Sequence, residues 1–226
     1  MREYAYIYEK GKRNKNEDSI LVEKMQTDYG EVTMAVVCDG IGGMQRGEIA
    51  SGYIVEQCGI WFYESLPELI RHIGSSKVEQ SFHKLCYQMH NSLKDYGVRR
   101  SIHLGSTMSA LLCVGHETLL FHYGDSAIYK VYPRAKRLTK KHGGSEGLTR
   151  CLGLGKFTYP DTRKIFVKRN EGYLLCTDGL LQLFSERDFH EILGDGKNAK
   201  RKLDTLGKVA IRRGAKDNIS AIYLKV

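Results

Sequence analysis

The sequence predicts an α+β layered sandwich, with helix pairs set into an antiparallel β framework. Three observations carry that reading. Short apolar strands joined by tight turns run through "TMSALLCVG" (107–115), "TLLFHYG" (118–124) and "SAIYKVY" (126–132), which predicts an antiparallel meander. Two helical blocks interrupt the strands, one before the meander and one near the end of the chain. A last apolar run, "NISAIYLKV", closes the chain as a strand.

Each element follows from its local pattern. Residues 3–9 ("EYAYIYE"), 20–23 and 31–38 ("EVTMAVVC") read as strands, rich in β-branched and aromatic residues. Gly47 to about Leu66 reads as a helix that Pro67 stops. Lys77–Tyr96 is the clearest helix: Val78, Phe82, Leu85, Met89, Leu93 and Tyr96 recur every three or four residues, and Gly97 is expected to end it. That stripe is core rather than a cofactor-binding face. Beyond the meander, "KIFVK" and "GYLLCTD" read as strands, and helices follow at 185–193, starting on the N-cap Ser185, and at 197–213.

Composition bounds the function. With 226 residues, 42% hydrophobic and 27% charged, the chain is globular and is expected to form one domain over 1–226. No apolar run approaches the roughly 20 residues of a membrane-spanning helix, and "MREYAYIYEKGKRNKNED" lacks the apolar stretch of a signal peptide. A cytoplasmic location is the expectation. The six cysteines are scattered with no CxxC pair, so they read as buried free thiols rather than zinc ligands or disulfides. The net charge, 35 − 26 = +9, concentrates in "KRNK", "YPRAKRLTKKH", "TRKIFVKR" and "KNAKRK". Such a surface can be merely solvated or can steer anionic, phosphorylated partners. No nucleic-acid motif accompanies it, and no nucleic acid is expected.

The chemistry is carried by aspartates that end strands. In "AVVCDGIGGM", Asp39 follows an apolar run and precedes Gly40, Gly42 and Gly43; "LLCTDG" repeats the grammar at Asp178 and Gly179. "LFHYGDS" puts Asp125 in a turn, "GAKDNIS" puts Asp217 before the last strand, and "RNKNEDS" sets Glu17 and Asp18 near Arg13. Any one of these aspartates suits a turn, where its side chain bonds nearby amides. Several carboxylates gathered at one sheet edge would repel one another, and divalent cations such as Mg²⁺ or Mn²⁺ are the usual remedy. The glycines do not bind nucleotide: in "GGMQRGE" Glu48 stands where a P-loop requires lysine, and Gln45 breaks a GxGxxG.

Taken in order, "RNKNEDS", "VVCDGIGGMQRGEIAS", "GSTMSALL", "YGDSAIY", "LTRCLG", "LLCTDGL" and "DNISAIYLKV" resemble the protein phosphatase 2C family, the metal-dependent Ser/Thr phosphatases, in its bacterial form. The resemblance runs from about Arg13 to the C-terminus. It implies a four-layer αββα sandwich, two central antiparallel β-sheets flanked by helix pairs, with a binuclear Mn²⁺/Mg²⁺ centre at one end. It implies that Asp39 bridges both metals, that the Gly40 carbonyl ligates one, and that Asp178 and Asp217 complete the first metal's ligands. Asp18, with Glu17, would hold metal-bound waters; Arg13 would grip the substrate phosphate through its guanidinium fork; Asp125 would serve a third, weaker metal. Two departures stand out. Ile41 replaces the histidine of some members, which excludes a histidine general acid there, and the flap segment near 139–148 is shortened.

The function these residues imply is hydrolysis of phosphoserine and phosphothreonine in proteins phosphorylated by a Ser/Thr kinase. Metals would lower the pKa of a water and neutralise developing charge. Ser106, Thr107 and the cysteines are not needed as nucleophiles; Ser106 and Thr107 are expected to pack or hydrogen-bond near the centre. The alternative is a degenerate phosphatase domain that binds phosphoproteins or regulates without catalysis. The chain is expected to act as a monomer.

Overall fold

Two antiparallel sheets lie face to face, and the chain feeds them in an order that no single stretch of sequence reveals. In a computed structural model the chain is described except for residues 1, 29, 42–45, 71–75, 132–133, 145–146, 169 and 195–197. Gly42, Gly43 and Gln45, singled out above, lie outside the described residues. The elements are β1 (Glu3–Glu9), β2 (Asp18–Thr27), β3 (Gly30–Ile41), α1 (Gly47–Glu64), α2 (Leu66–Leu69), α3 (Ser76–Arg100), β4 (Gly105–Ser106), β5 (Met108–Val114), β6 (Glu117–Tyr123), β7 (Ala127–Lys130), β8 (Lys136–Arg137), β9 (Gly143–Gly144), β10 (Gly147–Leu148), β11 (Asp161–Phe166), β12 (Gly172–Cys176), α4 (Asp178–Leu181), α5 (Glu186–Leu193), α6 (Ala199–Arg212) and β13 (Ile219–Lys225). One sheet runs β1-β13-β12-β7-β8; the other runs β11-β6-β5-β3-β2, with β4 on the end of β3.

Three apolar layers hold these elements together, and strand periodicity assigns residues to them. On β3, Val32, Met34, Val36 and Cys38 face α1 and α3, while Ala35 and Val37 face the other sheet. On β12, Leu174 and Cys176 pack toward α5 and α6, while Tyr173 and Leu175 fill the space between sheets. Both faces of these strands are buried, which is why "MAVVC" and "YLLC" read as unbroken apolar runs. The result is the expected α+β sandwich, helices outside and two sheets within. On α3 the predicted stripe is core: Phe82 is fully buried and stacks on Phe121 of β6, ring centroids 4.1 Å apart. Burying such a side chain contributes about 1.5–3 kcal/mol.

The structure departs from the local reading in four places. The helix expected to end at Gly97 runs on to Arg100 and turns at Ser101, whose φ is 53°. Gly97 is there for a different reason: a Cβ on it would lie 2.7 Å from the Ile102 carbonyl, where the returning chain crosses the helix. Pro67 stops α1 but sits inside the one-turn α2, since proline is accommodated in a first turn. The strand expected over "KIFVK" starts and ends earlier, at Asp161–Phe166. The three-stranded meander does not form. β5 and β6 pair, but β7 crosses to the other sheet and pairs with β12 and β8. The crossing begins at Gly124, whose φ of 94° swings the chain out of β6, and Ile128 and Tyr129 are buried only in the second sheet.

Helix starts were more legible. Ser185 caps α5 in a full capping box with Asp188. The start of α1 is capped from far away in sequence: Gly47 N donates to Glu17 Oε1 at 3.1 Å. Among the described residues no helix is long and apolar enough to cross a membrane.

Candidate metal centre

The aspartates are brought together by the ends of strands from both sheets. β2 and β3 pair in a register that sets Asp18 directly opposite Asp39. Asp178 is the first residue of α4, immediately beyond β12, and Asp217 lies two residues before β13. Asp125 occupies the crossing between β6 and β7. Five carboxylates separated by up to 199 residues of sequence thus share one end of the sandwich.

Their electrostatics show the crowding. Burial pushes the Asp18 carboxyl up to about 7, and Asp178 and Asp217 add to the rise against a hydrogen bond from Thr177. Asp39 is held well above the usual carboxylate range, by burial first and then by Asp18, Asp178 and Asp125. Asp125 is raised by burial and then by Asp178. Like charges this close disfavour one another's ionised form.

The surrounding polar groups fix the backbone on which the carboxylates stand. Asp39 N donates to Thr107 Oγ1 at 2.9 Å, while the Asp39 carbonyl accepts from Ser106 Oγ and Thr107 N, both at 2.9 Å. Thr107 Oγ1 also shares a 2.8 Å hydrogen bond with Ser126, next to Asp125. Ser106 and Thr107 are therefore hydrogen-bonding neighbours of the centre, as expected. Thr177 Oγ1 donates to Asp18 Oδ2 at 2.9 Å, a contact that ties one sheet to the other. Gln182 donates to Asp178 Oδ2 at 2.9 Å. Arg13 Nη2 donates to Asp217 Oδ2 at 2.8 Å, so the guanidinium stands at the rim of the cluster, exposed.

Sequence reasoning missed two features. Asn218 is a hub: its Oδ1 accepts from Glu17 N at 2.9 Å, and its Nδ2 donates to the Lys10 and Lys15 carbonyls. The only signal was an amide interposed between Asp217 and an apolar strand. Glu17 is a support rather than a free carboxylate, with Oε1 on α1's first amide and its carbonyl accepting from Gly40 N and Ser51 Oγ.

The Asp–Gly grammar also has an unexpected cause. A Cβ on Gly40 would lie 2.3 Å from the Gly47 carbonyl and 2.6 Å from that of Glu17. One on Gly179 would lie 2.0 Å from the Asn218 carbonyl and 3.1 Å from Asp217 Cβ. The close approach that glycine permits is thus to neighbouring protein backbone, which draws β3 against α1 and draws Asp178 against Asp217.

The donor set suits a hard divalent cation: several carboxylates, no thiolate or imidazole among them, and a mutual repulsion that a cation would relieve. Among the described residues no three such side chains already enclose one point. Asp18, Asp178 and Asp217 each accept a side-chain hydrogen bond on one oxygen, from Thr177, Gln182 and Arg13 respectively.

No family model matches the chain. A Streptococcus pyogenes protein provisionally named a protein phosphatase of the 2C type is 23% identical over 232 residues, covering 92% of this chain and 91% of that protein. The serine/threonine phosphatase stp of Listeria monocytogenes is 22% identical over 215 residues, covering 85% of this chain and 84% of its own. Among solved structures, the S. agalactiae serine/threonine phosphatase superposes with a TM-score of 0.85 at 22% identity, covering 100% of both chains. In fold and over most of its length in aligned sequence, the chain is similar to bacterial proteins named as serine/threonine phosphatases, one of them as a phosphatase of the 2C type.

Proposed function

We propose that the chain is a metal-dependent protein phosphatase that hydrolyses phosphoserine and phosphothreonine. The observation that supports it most is the convergence of Asp18, Asp39, Asp125 and Asp178, close enough that Asp178 raises the proton affinity of each of the other three. Asp39, Asp178, Asp217 and the Gly40 carbonyl are the groups that would hold two Mn²⁺ or Mg²⁺ ions, with Asp18 and Glu17 behind them and Asp125 at their edge. When bound, such ions supply a nucleophilic water at neutral pH and neutralise charge on the phosphoryl group.

The chain's own residues do the rest. Thr107 and Ser106 hold the Asp39 backbone still, so the carboxylate does not swing away under repulsion. Asp18, held by its hydrogen bond from Thr177, would orient solvent at the centre. Arg13 stands at the rim, where its planar fork can accept a phosphate by leaving Asp217. That exchange is inexpensive because exposed ion pairs are worth about 0–1 kcal/mol. The basic surface favours approach of phosphorylated proteins.

The test is phosphate release from p-nitrophenyl phosphate and a phosphoserine peptide, with and without Mn²⁺. Metal-dependent turnover is expected; its absence in a folded, Mn²⁺-loaded protein would sink the proposal. Arg13→Ala should raise KM about tenfold or more with a smaller change in kcat, and Arg13→Lys should recover only part of the loss, because a point charge cannot reproduce bidentate contact. An unchanged KM in both variants would return Arg13 to the solvated surface.

A further inference from the structure

The shortened segment after β8 carries a lysine that the functional reading does not use. Lys141 is exposed, yet its ammonium lies 3.9 Å from Asp125 Oδ2. An exposed lysine near a carboxylate is ordinary; the backbone beneath this one is not.

Both peptide groups flanking Lys141 are fixed to β6 and the turn beyond it. The Lys140 carbonyl accepts from His122 Nε2 at 2.8 Å, and His142 N donates to the Gly124 carbonyl at 2.8 Å. Gly124 N donates back to His142 Nδ1 at 3.1 Å, so the residue before Asp125 is gripped by His142 through both its amide and its carbonyl. Both histidines are buried, and each is held from behind: His122 Nδ1 by Ser109 Oγ at 2.9 Å, His142 Nε2 by Asp161 Oδ2 at 2.9 Å, with Arg150 on the other oxygen of Asp161. A carbonyl can only accept, so His122 carries its proton on Nε2; an amide can only donate, so His142 carries its own on Nε2, toward Asp161. From the other side, Arg137 Nη2 donates to the Asp125 and Ser126 carbonyls. The turn bearing Asp125 and the residue bearing Lys141 are therefore parts of one clamped unit. The freedom left to the pair is that of two side chains.

We propose that Lys141 is the built-in cation partner of Asp125, its ammonium standing where a further divalent cation would have to bind. The inference rests on the phosphatase reading and narrows it: the chain works with two cations, and the third position is filled by its own side chain. Asp125 needs such a partner because it faces Asp178 in a partly buried site. A single ammonium meets that need without the dehydration cost that a hard divalent cation incurs.

Mn²⁺ titration by calorimetry tests this without relying on turnover, using the wild-type chain, Lys141→Met, Lys141→Arg and Lys141→Met/Asp125→Ala. Because Lys141 is exposed, its replacement should leave the fold intact, which thermal melts verify. The expected result is two Mn²⁺ ions on the wild type and on Lys141→Arg, and an additional weaker ion on Lys141→Met that is lost again in the double variant. Removing one positive charge at this distance should tighten that extra site about tenfold or more, enough to bring it into the titration window. Equal stoichiometry and affinity in the wild type and Lys141→Met would overturn the role of Lys141 and leave the two-cation reading standing. Three ions on the wild type, or an extra ion that survives Asp125→Ala, would also overturn it. No Mn²⁺ binding by any form would remove the phosphatase reading and this inference together.

Discussion

Asp39→Asn is expected to cut Mn²⁺-dependent phosphate release by about 10³-fold or more while leaving the protein folded. Asparagine keeps the volume of the side chain and removes the charge on which the proposed bridging role depends. The backbone that presents it is held by Thr107 and Ser106, which the substitution does not touch. A second readout separates loss of function from loss of structure. In the metal-free protein Asp39 is crowded by Asp18, Asp178 and Asp125, and its raised proton affinity means that the ionised form strains the fold. Removing that charge should leave the melting temperature of the metal-free protein unchanged or higher, while the stabilisation gained on adding Mn²⁺ disappears. Wild-type turnover in a folded Asp39→Asn protein would sink the binuclear assignment. Asp178→Asn and Asp217→Asn should be similarly severe, and double variants should cost little more than single ones, because ligands act as a unit.

Gly179→Ala should be the most damaging substitution that leaves every carboxylate in place. The added methyl would fall 2.0 Å from the Asn218 carbonyl, and that atom is backbone, with no rotamer to change. Either α4 or the chain entering β13 must shift, and Asp178 and Asp217 are attached to those two segments. Overpacking of this kind costs about 1–3 kcal/mol or somewhat more, which in a chain of this size lowers the melting temperature by about 2–12 °C. Activity should fall further than stability does, because the two carboxylates separate even in molecules that remain folded. Differential scanning calorimetry beside Mn²⁺-dependent kinetics checks both halves. Normal melting with normal turnover would mean that the close approach at Gly179 is not what spaces the pair.

Sequence pattern made the architecture readable wherever a local rule decides the outcome. The α3 stripe, the twice-buried strand β3 and the capping box at Ser185 each follow from periodicity or from a three-residue hydrogen-bond exchange. The positions of Asp39 and Asp178 were legible because strand–Asp–Gly occurs twice, and that of Asp217 because it stands directly before the closing apolar run "NISAIYLKV". What stayed hidden is non-local. Nothing within residues 118–132 distinguishes a hairpin partner from a strand in the opposite sheet; the choice is made by what Ile128 and Tyr129 find there. Gly97 looked like a helix stop because the carbonyl that needs its missing Cβ belongs to Ile102 on the return path. Glu17 looked like a member of the acidic cluster, and its partner, the first amide of α1, lies thirty residues away. Asn218 and Lys141 gave no signal beyond their composition, since their roles depend on segments brought beside them only in the folded chain.

The hydrogen bond from Thr177 to Asp18 joins a residue at the end of β12 to one at the start of β2, strands of different sheets. Neither sheet alone carries the centre: Asp18 and Asp39 belong to one, Asp178 and Asp217 to the other. A nascent or partly folded chain that has formed only one of the two therefore holds at most half of the carboxylates and none of the cross-sheet contact. On the proposed reading, activity therefore requires both sheets to be formed and docked, because the cation-binding carboxylates are divided between them.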